Sequence, residues 1–134
     1  MKENWVRIEG LRFEGFRCWD ERHDLPKTPG VYVITKGNSP EPIYIGLTIQ
    51  RHGLAGRLRQ FDRSARTGRP AHAGGVTFHQ KFGRDVASLR VAVRQSDLKM
   101  ADISTLRVYA QHVERLLIWR HVRRYGRLPV CNSI

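Results

Sequence analysis

The stretch "PGVYVITKGNSPEPIYIGLT", residues 29–48, decides the fold because it holds two strand-like runs around one turn. Residues 31–36 and 43–47 place alternate side chains on opposite faces, as β-strands do. The "GNSPEP" between them contains glycine, asparagine, serine and two prolines, which cannot continue either strand. The pattern therefore predicts an antiparallel hairpin.

Two tyrosines stand in near mirror image in this hairpin, because Tyr32 follows a glycine by two residues and Tyr44 precedes Gly46 by two. The alternation predicts a core face made of Val31, Val33, Ile43 and Ile45. Both tyrosines would share the other face, where Gly46 would leave room for a ligand to approach. Two interpretations stay open: the phenols line a shallow site, or they form a cross-strand aromatic pair that stabilises the sheet.

The remaining elements predict the fold class. Apolar periodicity indicates helices at 52–65 and 101–125 with a short helix at 76–82, and alternation indicates a third strand at 88–94. The expected buried stripe of the first helix is Leu54, Leu58 and Phe61. That of the long helix is Ile103, Leu106, Ala110, Val113 and Leu117. The sequence predicts an α/β protein of the α+β type, with a small three-stranded antiparallel sheet flanked by helices.

Length and composition predict one domain, since 134 residues that are 40% hydrophobic can bury one core of ordinary size. We expect residues 1–28 to form an arm that packs on the core and residues 29–134 to form the main unit. Cys18 and Cys131 lie far apart and form no metal-type pair, which fits a reducing, cytoplasmic compartment. Charges spread over the first twenty residues exclude an apolar leader, and no run is long enough to span a membrane.

The formal net charge of +12, from 24 Lys and Arg against 12 Asp and Glu, indicates a polyanionic partner. Solubility or genome composition is the alternative explanation. On the first predicted helix, Arg59, Arg63 and Arg66 repeat at helical spacing, and this stripe is predicted to contact DNA phosphates. Pairing of Asp62 with its neighbours would instead make the stripe an ordinary salt-bridge surface.

Two charged residues fall beside the predicted buried stripes. Arg57 stands three residues after Leu54 and four before Phe61, near the hairpin, where a guanidinium needs a partner. Glu114 is the single acid among six arginines in residues 103–134, and no basic residue lies one turn from it. We expect its partner to be an arginine across the fold or a divalent metal. A solvated or salt-bridged carboxylate remains the alternative.

The order of these features resembles the GIY-YIG nuclease superfamily, which includes excision-repair incision subunits, homing endonucleases and some restriction enzymes. The resemblance covers about residues 29–132, from the G-x-Y and Y-x-G strands through the helix arginine and the later glutamate to "LPVCN". It implies an endonuclease that hydrolyses double-stranded or branched DNA with one Mg²⁺ or Mn²⁺ ion. The catalytic residues it implies are Tyr32, Tyr44, Arg57, Glu114 and Asn132, with Glu114 as the metal ligand.

Two positions depart from the family pattern. Leu47 stands where several members carry a lysine, and Arg51 or His52 would have to reach back to replace it. Phe61 stands where many members carry histidine or tyrosine, and His72 in "RPAHAGG" is the residue that could compensate. An inert histidine in an exposed loop is the alternative for His72.

A second function is compatible with the same sequence, namely a non-catalytic, basic nucleic-acid-binding module on this fold that acts within a larger complex. Retention of all five motif residues favours the enzyme, whereas the departures at Leu47 and Phe61 leave the module as an alternative. A plasmid-nicking assay separates the two. Either function allows a protein partner in addition to DNA.

Overall fold

The computed structural model describes Phe13 and the residue ranges 15–96 and 102–133. Its strands are β1 (Arg17–Cys18), β2 (Gly30–Lys36), β3 (Pro42–Thr48) and β4 (Leu89–Gln95). Its α-helices are α1 (Gly53–Thr67), α2 (Ala73–Phe82) and α3 (Ile103–Tyr125). Short 3-10 helices at Trp19–Asp24 and Val86–Ser88 precede β2 and β4. The α+β class predicted from the sequence is confirmed.

The strands form one antiparallel sheet in the order β1-β4-β2-β3. β2 and β3 form the predicted hairpin, and β4 pairs with the other side of β2. The prediction of three strands is wrong by one, because Arg17 and Cys18 pair with Val91 and Arg90 at the free edge of β4. A two-residue strand is too short for its alternation to be detected in the sequence.

Helices cover both faces of the sheet. On the first face, α1 and α2 bury Tyr32 and Ile34 together with the predicted stripe of Leu54, Leu58 and Phe61. On the second face, α3 covers Val31, Val33 and Ile45 with Val113 and Leu117. The face with the tyrosines is therefore also core, and β2 is buried over almost its whole length, as in other strands that are covered on two sides.

Ile43 departs from the predicted alternation. The register shifts where Ile34 pairs with Tyr44 but Thr35 pairs with Pro42, so Ile43 is an extra residue in β3. The irregularity turns its side chain to the α1–α2 face, away from Ile45 and the other predicted core residues of the hairpin.

α3 is longer than the strands that it covers. A helix of 23 residues is about 34 Å long, whereas a strand of seven residues spans about 23 Å. Ile103, which was predicted to be buried, therefore lies 53% exposed in the first turn. The buried stripe begins at Leu106 and ends at His121, which the sequence pattern did not include.

The described part of the predicted arm packs on the core. Trp19 and Leu25 are buried in the α1–α2 cluster, and Nε1 of Trp19 donates a hydrogen bond to Oδ1 of Asp62 on α1 (2.8 Å). Residues 1–12 of the predicted arm fall outside the described residues. No helix in the described ranges has both the length and the apolar character needed to cross a membrane.

Candidate functional site

The two tyrosines meet on the α1–α2 face of the hairpin. Tyr32 pairs with Gly46, so Tyr44 lies diagonally beside Tyr32, with ring centroids 5.9 Å apart. A Cβ atom on Gly46 would lie 2.5 Å from Cε2 of Tyr44 and 2.7 Å from Oη of Tyr32, closer than carbon and oxygen atoms can approach. Gly46 therefore makes room for the phenols themselves, and not for a ligand as the sequence suggested.

The two phenols differ in accessibility. Tyr32 is fully buried beneath the helices, whereas Tyr44 remains partly exposed. The predicted shallow site lined by both tyrosines is thus limited to Tyr44. Burial raises the pKa of both hydroxyls, and it raises that of Tyr32 well above its ordinary value. Tyr44 is therefore the phenol that a substrate can reach and that ionises more easily.

His72 contacts Tyr32 from the start of α2, with its Nε2 atom 2.7 Å from the Tyr32 hydroxyl oxygen. Its Nδ1 atom caps the helix by accepting hydrogen bonds from the backbone N–H groups of Gly74 (3.0 Å) and Gly75 (3.3 Å). Burial, aided by nearby positive charge, lowers the pKa of His72 to about 3, so the ring is neutral. Since Nδ1 accepts, Nε2 carries the ring proton and donates a hydrogen bond to the hydroxyl oxygen of Tyr32.

This tautomer leaves the hydroxyl proton of Tyr32 available for donation to another acceptor. Because the oxygen of Tyr32 accepts from His72, the hydroxyl proton of Tyr32 can point toward Tyr44. Against the larger effect of burial, the neighbouring hydroxyl lowers the pKa of Tyr44 and raises that of Tyr32. We call His72, Tyr32 and Tyr44 the donor chain, because His72 donates to Tyr32 and the proton of Tyr32 is then free to be donated toward the accessible phenol.

The loop that carries His72 is held against α1 by Ser64. The Ser64 hydroxyl accepts from the backbone N–H groups of Ala71 (3.1 Å) and His72 (2.9 Å) and donates to the carbonyl of Arg69 (2.7 Å). The His72 ring also packs edge-on against Phe61, with centroids 5.1 Å apart. The alternative of an exposed loop histidine is therefore wrong, and His72 lies beside the position where the sequence departs from the family pattern.

Arg57 lies on α1 close to the tyrosines, as predicted. Its positive charge lowers the pKa of Tyr32 and Tyr44, in opposition to the stronger effect of burial. Nη1 of Arg57 donates to Oε1 of Gln60 (2.6 Å), and Nε2 of Gln60 lies 3.2 Å from Nε2 of His52. His52 therefore reaches the site only through Gln60, which holds the guanidinium in place.

The carboxylate of Glu114 acts on the site through its negative charge, which raises the pKa of Tyr44. Glu114 is half-buried, and burial raises its own pKa, while the adjacent Arg115 lowers it. Within the described ranges its carboxylate makes neither a hydrogen bond nor an ion pair, so the expected arginine partner across the fold is not found there. A desolvated carboxylate without a partner is available to a cation.

Asn132 acts on the hairpin from the outer edge of β3. Its Oδ1 accepts from the backbone N–H of Ile45 (2.9 Å), and its Nδ2 donates to the carbonyl of the same residue (2.8 Å). The N–H of Cys131 also donates to the carbonyl of Ile43 (2.8 Å). These bonds fix the backbone on both sides of Tyr44, so the position of Asn132 supports the site through the strand.

The arginines predicted to contact DNA lie apart from the donor chain. Arg59, Arg63 and Arg66 are exposed on α1, and Arg51 is exposed in the turn before it. Nε of Arg66 donates to both carboxylate oxygens of Asp62 at 3.0 Å. The salt-bridge alternative thus holds for Arg66, whereas Arg59 and Arg63 make no ion pair with the described residues.

A divalent cation would have few protein ligands here. Among the described residues, no group of three or more His, Cys, Asp and Glu side chains is placed to hold a metal ion. Such a group is what closed zinc sites require. Mg²⁺ instead binds through one or two carboxylates and keeps waters or substrate phosphates as its other ligands. The unpaired Glu114 carboxylate fits an ion of that kind.

The chain finds no match among family models, curated proteins or solved structures, so the geometry and charges of the site are what bear on its function.

Two residues that shape the site were not predicted. Gln60 stands one turn after Arg57, a helical spacing at which side chains meet, so the sequence contained that signal. Ser64 had no such signal, because its partners belong to a loop whose path the sequence does not specify.

Proposed function

We propose that the protein is a metal-dependent endonuclease of the GIY-YIG type that hydrolyses phosphodiester bonds in DNA with Mg²⁺ or Mn²⁺. The observation that carries the proposal is the convergence of an accessible phenol, a guanidinium and an unpaired carboxylate from three separate elements. These groups are Tyr44 on β3, Arg57 on α1 and Glu114 on α3. The net charge of +12 supports a polyanionic substrate.

Phosphodiester hydrolysis needs a water molecule in line with the leaving oxygen and positive charge at the phosphate oxygens. Arg57 binds the phosphate, because guanidinium donors match phosphate oxygens in geometry and charge. Tyr44 loses its own proton to solvent and, as the phenolate, accepts the proton of the attacking water, since it is the accessible end of the donor chain. Tyr32 and His72 position its hydroxyl and stabilise the phenolate by hydrogen bonding.

Glu114 is the residue that would hold the cation, and a bound Mg²⁺ or Mn²⁺ supplies positive charge to the phosphate and to the leaving oxygen. The carboxylate is also coupled to the base, because its negative charge is one of the causes that raise the pKa of Tyr44. Neutralising that charge favours the phenolate. Glu114 thus links two requirements of the reaction, charge at the phosphate and ionisation of Tyr44.

The second candidate is a non-catalytic nucleic-acid-binding module that works within a larger complex. The observation that favours it is the burial of the phenols, which raises both tyrosine pKa values and keeps the hydroxyls protonated at neutral pH in the free protein. Tyr32 in particular has no surface through which DNA could touch it. A module needs only the basic surface and places no demand on ionisation of Tyr44.

A supercoiled-plasmid assay tests the two candidates directly. The endonuclease nicks the plasmid in Mg²⁺ or Mn²⁺ and stops in excess chelator, while its affinity for the same DNA persists in chelator. Arg57→Lys serves as the matched variant, because it keeps the charge but loses the planar donors and should nick more slowly. Tight DNA binding without nicking in either cation would overturn the endonuclease and leave the module.

A further inference from the structure

The face of α3 that points away from the sheet carries an exposed tryptophan between two arginines. Trp119 is 58% exposed, although large aromatic side chains usually bury most of their surface. Arg115 and Arg123 stand one turn before and one turn after it on the same side of the helix, and both are exposed. We call these three residues the Trp119 surface.

The surroundings of this ring are strongly basic. The exposed arginines of α3 and the segment after it are Arg107, Arg115, Arg120, Arg123, Arg124 and Arg127. Arg127 pairs with Glu41 (2.6 Å), and Arg124 lies over the ring of Tyr125. The two arginines of the Trp119 surface make no ion pair with any described residue, so their charges are available to an anion.

The chemistry of this surface favours nucleic acid over a protein partner. Leu116 and Val122 also lie one turn from Trp119 and are partly exposed. The exposed groups that flank the ring are nonetheless the guanidinium groups of Arg115 and Arg123, which make no ion pair with any described residue. They suit an anion better than the apolar centre of a protein interface. A polyanion with flat rings complements both features. In a duplex the base faces are stacked on each other, whereas a single strand presents them to an exposed aromatic ring.

We propose that the Trp119 surface binds a single-stranded segment of nucleic acid, with an unpaired base stacked on the indole and the flanking phosphates paired with Arg115 and Arg123. Trp119 lies about 7.5 Å along the helix axis from Glu114 and on a different side of α3. Under this proposal a strand leaves the cleaved bond at Glu114 and curves around α3 to reach the Trp119 surface. The inference rests on the proposed function where it names the substrate class, which is DNA with a single-stranded segment beside the cleaved bond.

Binding of a short oligothymidine in chelator tests the inference without any cleavage. Trp119→Ala should weaken binding by about tenfold or more, because stacking on an aromatic side chain makes a contribution of that size per base. Trp119→Phe keeps an aromatic ring, so its affinity for oligothymidine should fall by less than about threefold. Val108→Ala is the matched control, since Val108 is 66% exposed on the same face but offers no ring, and its affinity should not change.

A blunt duplex of matched length provides the comparison that makes the test specific. Trp119→Ala should leave affinity for this duplex within about twofold of wild type, because no base face is available for stacking. An equal loss for both DNAs, or unchanged oligothymidine affinity, would overturn the inference. Loss of self-association in Trp119→Ala with unchanged oligothymidine affinity would overturn it too and assign the surface to a protein contact. If the protein does not nick plasmid DNA but its binding to oligothymidine still depends on Trp119, the proposed endonuclease is refuted and the inference on the Trp119 surface stands.

Discussion

Tyr32 and Tyr44 carry the same functional group in unequal environments, and the donor chain gives them unequal roles. Tyr44→Phe removes the group that accepts the proton and should lower the nicking rate at least ~100-fold. Tyr32→Phe removes the hydroxyl that lowers the pKa of Tyr44 and should lower the rate only about tenfold. The nicking rates of the two variants in Mg²⁺ check this order, and a larger loss for Tyr32→Phe would contradict it.

Stability should follow the opposite order. Tyr32→Phe leaves the buried Nε2–H of His72 without an acceptor and should cost about 1–3 kcal/mol in the free energy of unfolding. Tyr44→Phe removes a partly exposed hydroxyl and should cost less. Equal unfolding free energies for both variants would argue against the hydrogen bond from His72 to Tyr32.

His72 should make the protein less stable in acid. Its pKa is lowered from 6.5 to about 3, so the unfolded chain binds a proton at a pH where the folded protein does not. The contribution of neutral His72 to the free energy of unfolding is therefore complete above pH 6.5 and is lost as the pH falls toward 3. At pH 5 the loss amounts to about 2 kcal/mol. His72→Asn keeps a capping oxygen and removes the titration, so its unfolding free energy should fall less between pH 7 and pH 5. Urea denaturation at the two pH values measures the unfolding free energies. Equal losses between pH 7 and pH 5 in wild type and His72→Asn would contradict the lowered pKa of His72.

At the scale of elements, the sequence predicted what depends on local periodicity. The hairpin, β4, α1 and most of α3 were predicted because their apolar residues repeat at the spacing of a strand or a helix. The extra residue Ile43 and the two-residue β1 were missed because they depend on pairing with other strands. The start of α2 was missed because its N-cap is His72, and histidine is not among the residues that usually cap helices. The side chain of His72 can cap α2 because the fold holds it beside α1.

Gly46 is the residue of β3 that the tyrosine pair requires. Gly46→Ala places a methyl group against both phenol rings and should destabilise the protein by about 1–3 kcal/mol. Gly15→Ala is the control, since a Cβ atom there has no neighbour within 4 Å, and its effect should stay within about 0.5 kcal/mol. Chemical denaturation compares the two variants. A Gly46→Ala protein as stable as wild type would mean that the phenols do not pack across this strand.

At the scale of the whole molecule, the order of residues along the chain led to a predicted site, whereas the interactions of those residues depend on the fold. The order of Tyr32, Tyr44, Arg57 and Glu114 along the chain led to the expectation of one site, and their mutual electrostatic effects agree with it. The burial of Tyr32 could not be predicted, because it depends on helices that cover both faces of the sheet. The role of His72 depends in the same way on a loop held by Ser64.

The basic surface of α1 should make DNA binding depend on salt. Replacement of Arg59 and Arg63 by alanine should reduce the slope of log K against log salt by about 2, close to one unit for each phosphate that the protein no longer neutralises. Arg66→Ala is the internal control, because Arg66 already pairs with Asp62 and should change the slope less. Duplex binding over a range of salt concentrations measures these slopes. An unchanged slope in the double variant would assign the α1 arginines to solubility.

The central claim is that Glu114 serves the reaction and not the fold. Glu114→Gln removes a half-buried, unpaired carboxylate, so the free protein should lose little stability. The loss of negative charge should also leave DNA binding intact or slightly tighter. Asp24→Asn is the matched control, because it removes one charge from an exposed position in the Trp19–Asp24 segment.

The measurement that tests this claim most directly is the rate of plasmid nicking in Mg²⁺ by wild type, Glu114→Gln and Asp24→Asn at equal DNA occupancy. We expect wild type and Asp24→Asn to nick at the same rate and Glu114→Gln to be slower by at least ~100-fold, since a cation in such a site supplies several kcal/mol of transition-state stabilisation. A Glu114→Gln protein that nicks at the wild-type rate would contradict the proposed mechanism, whatever the tyrosine variants do.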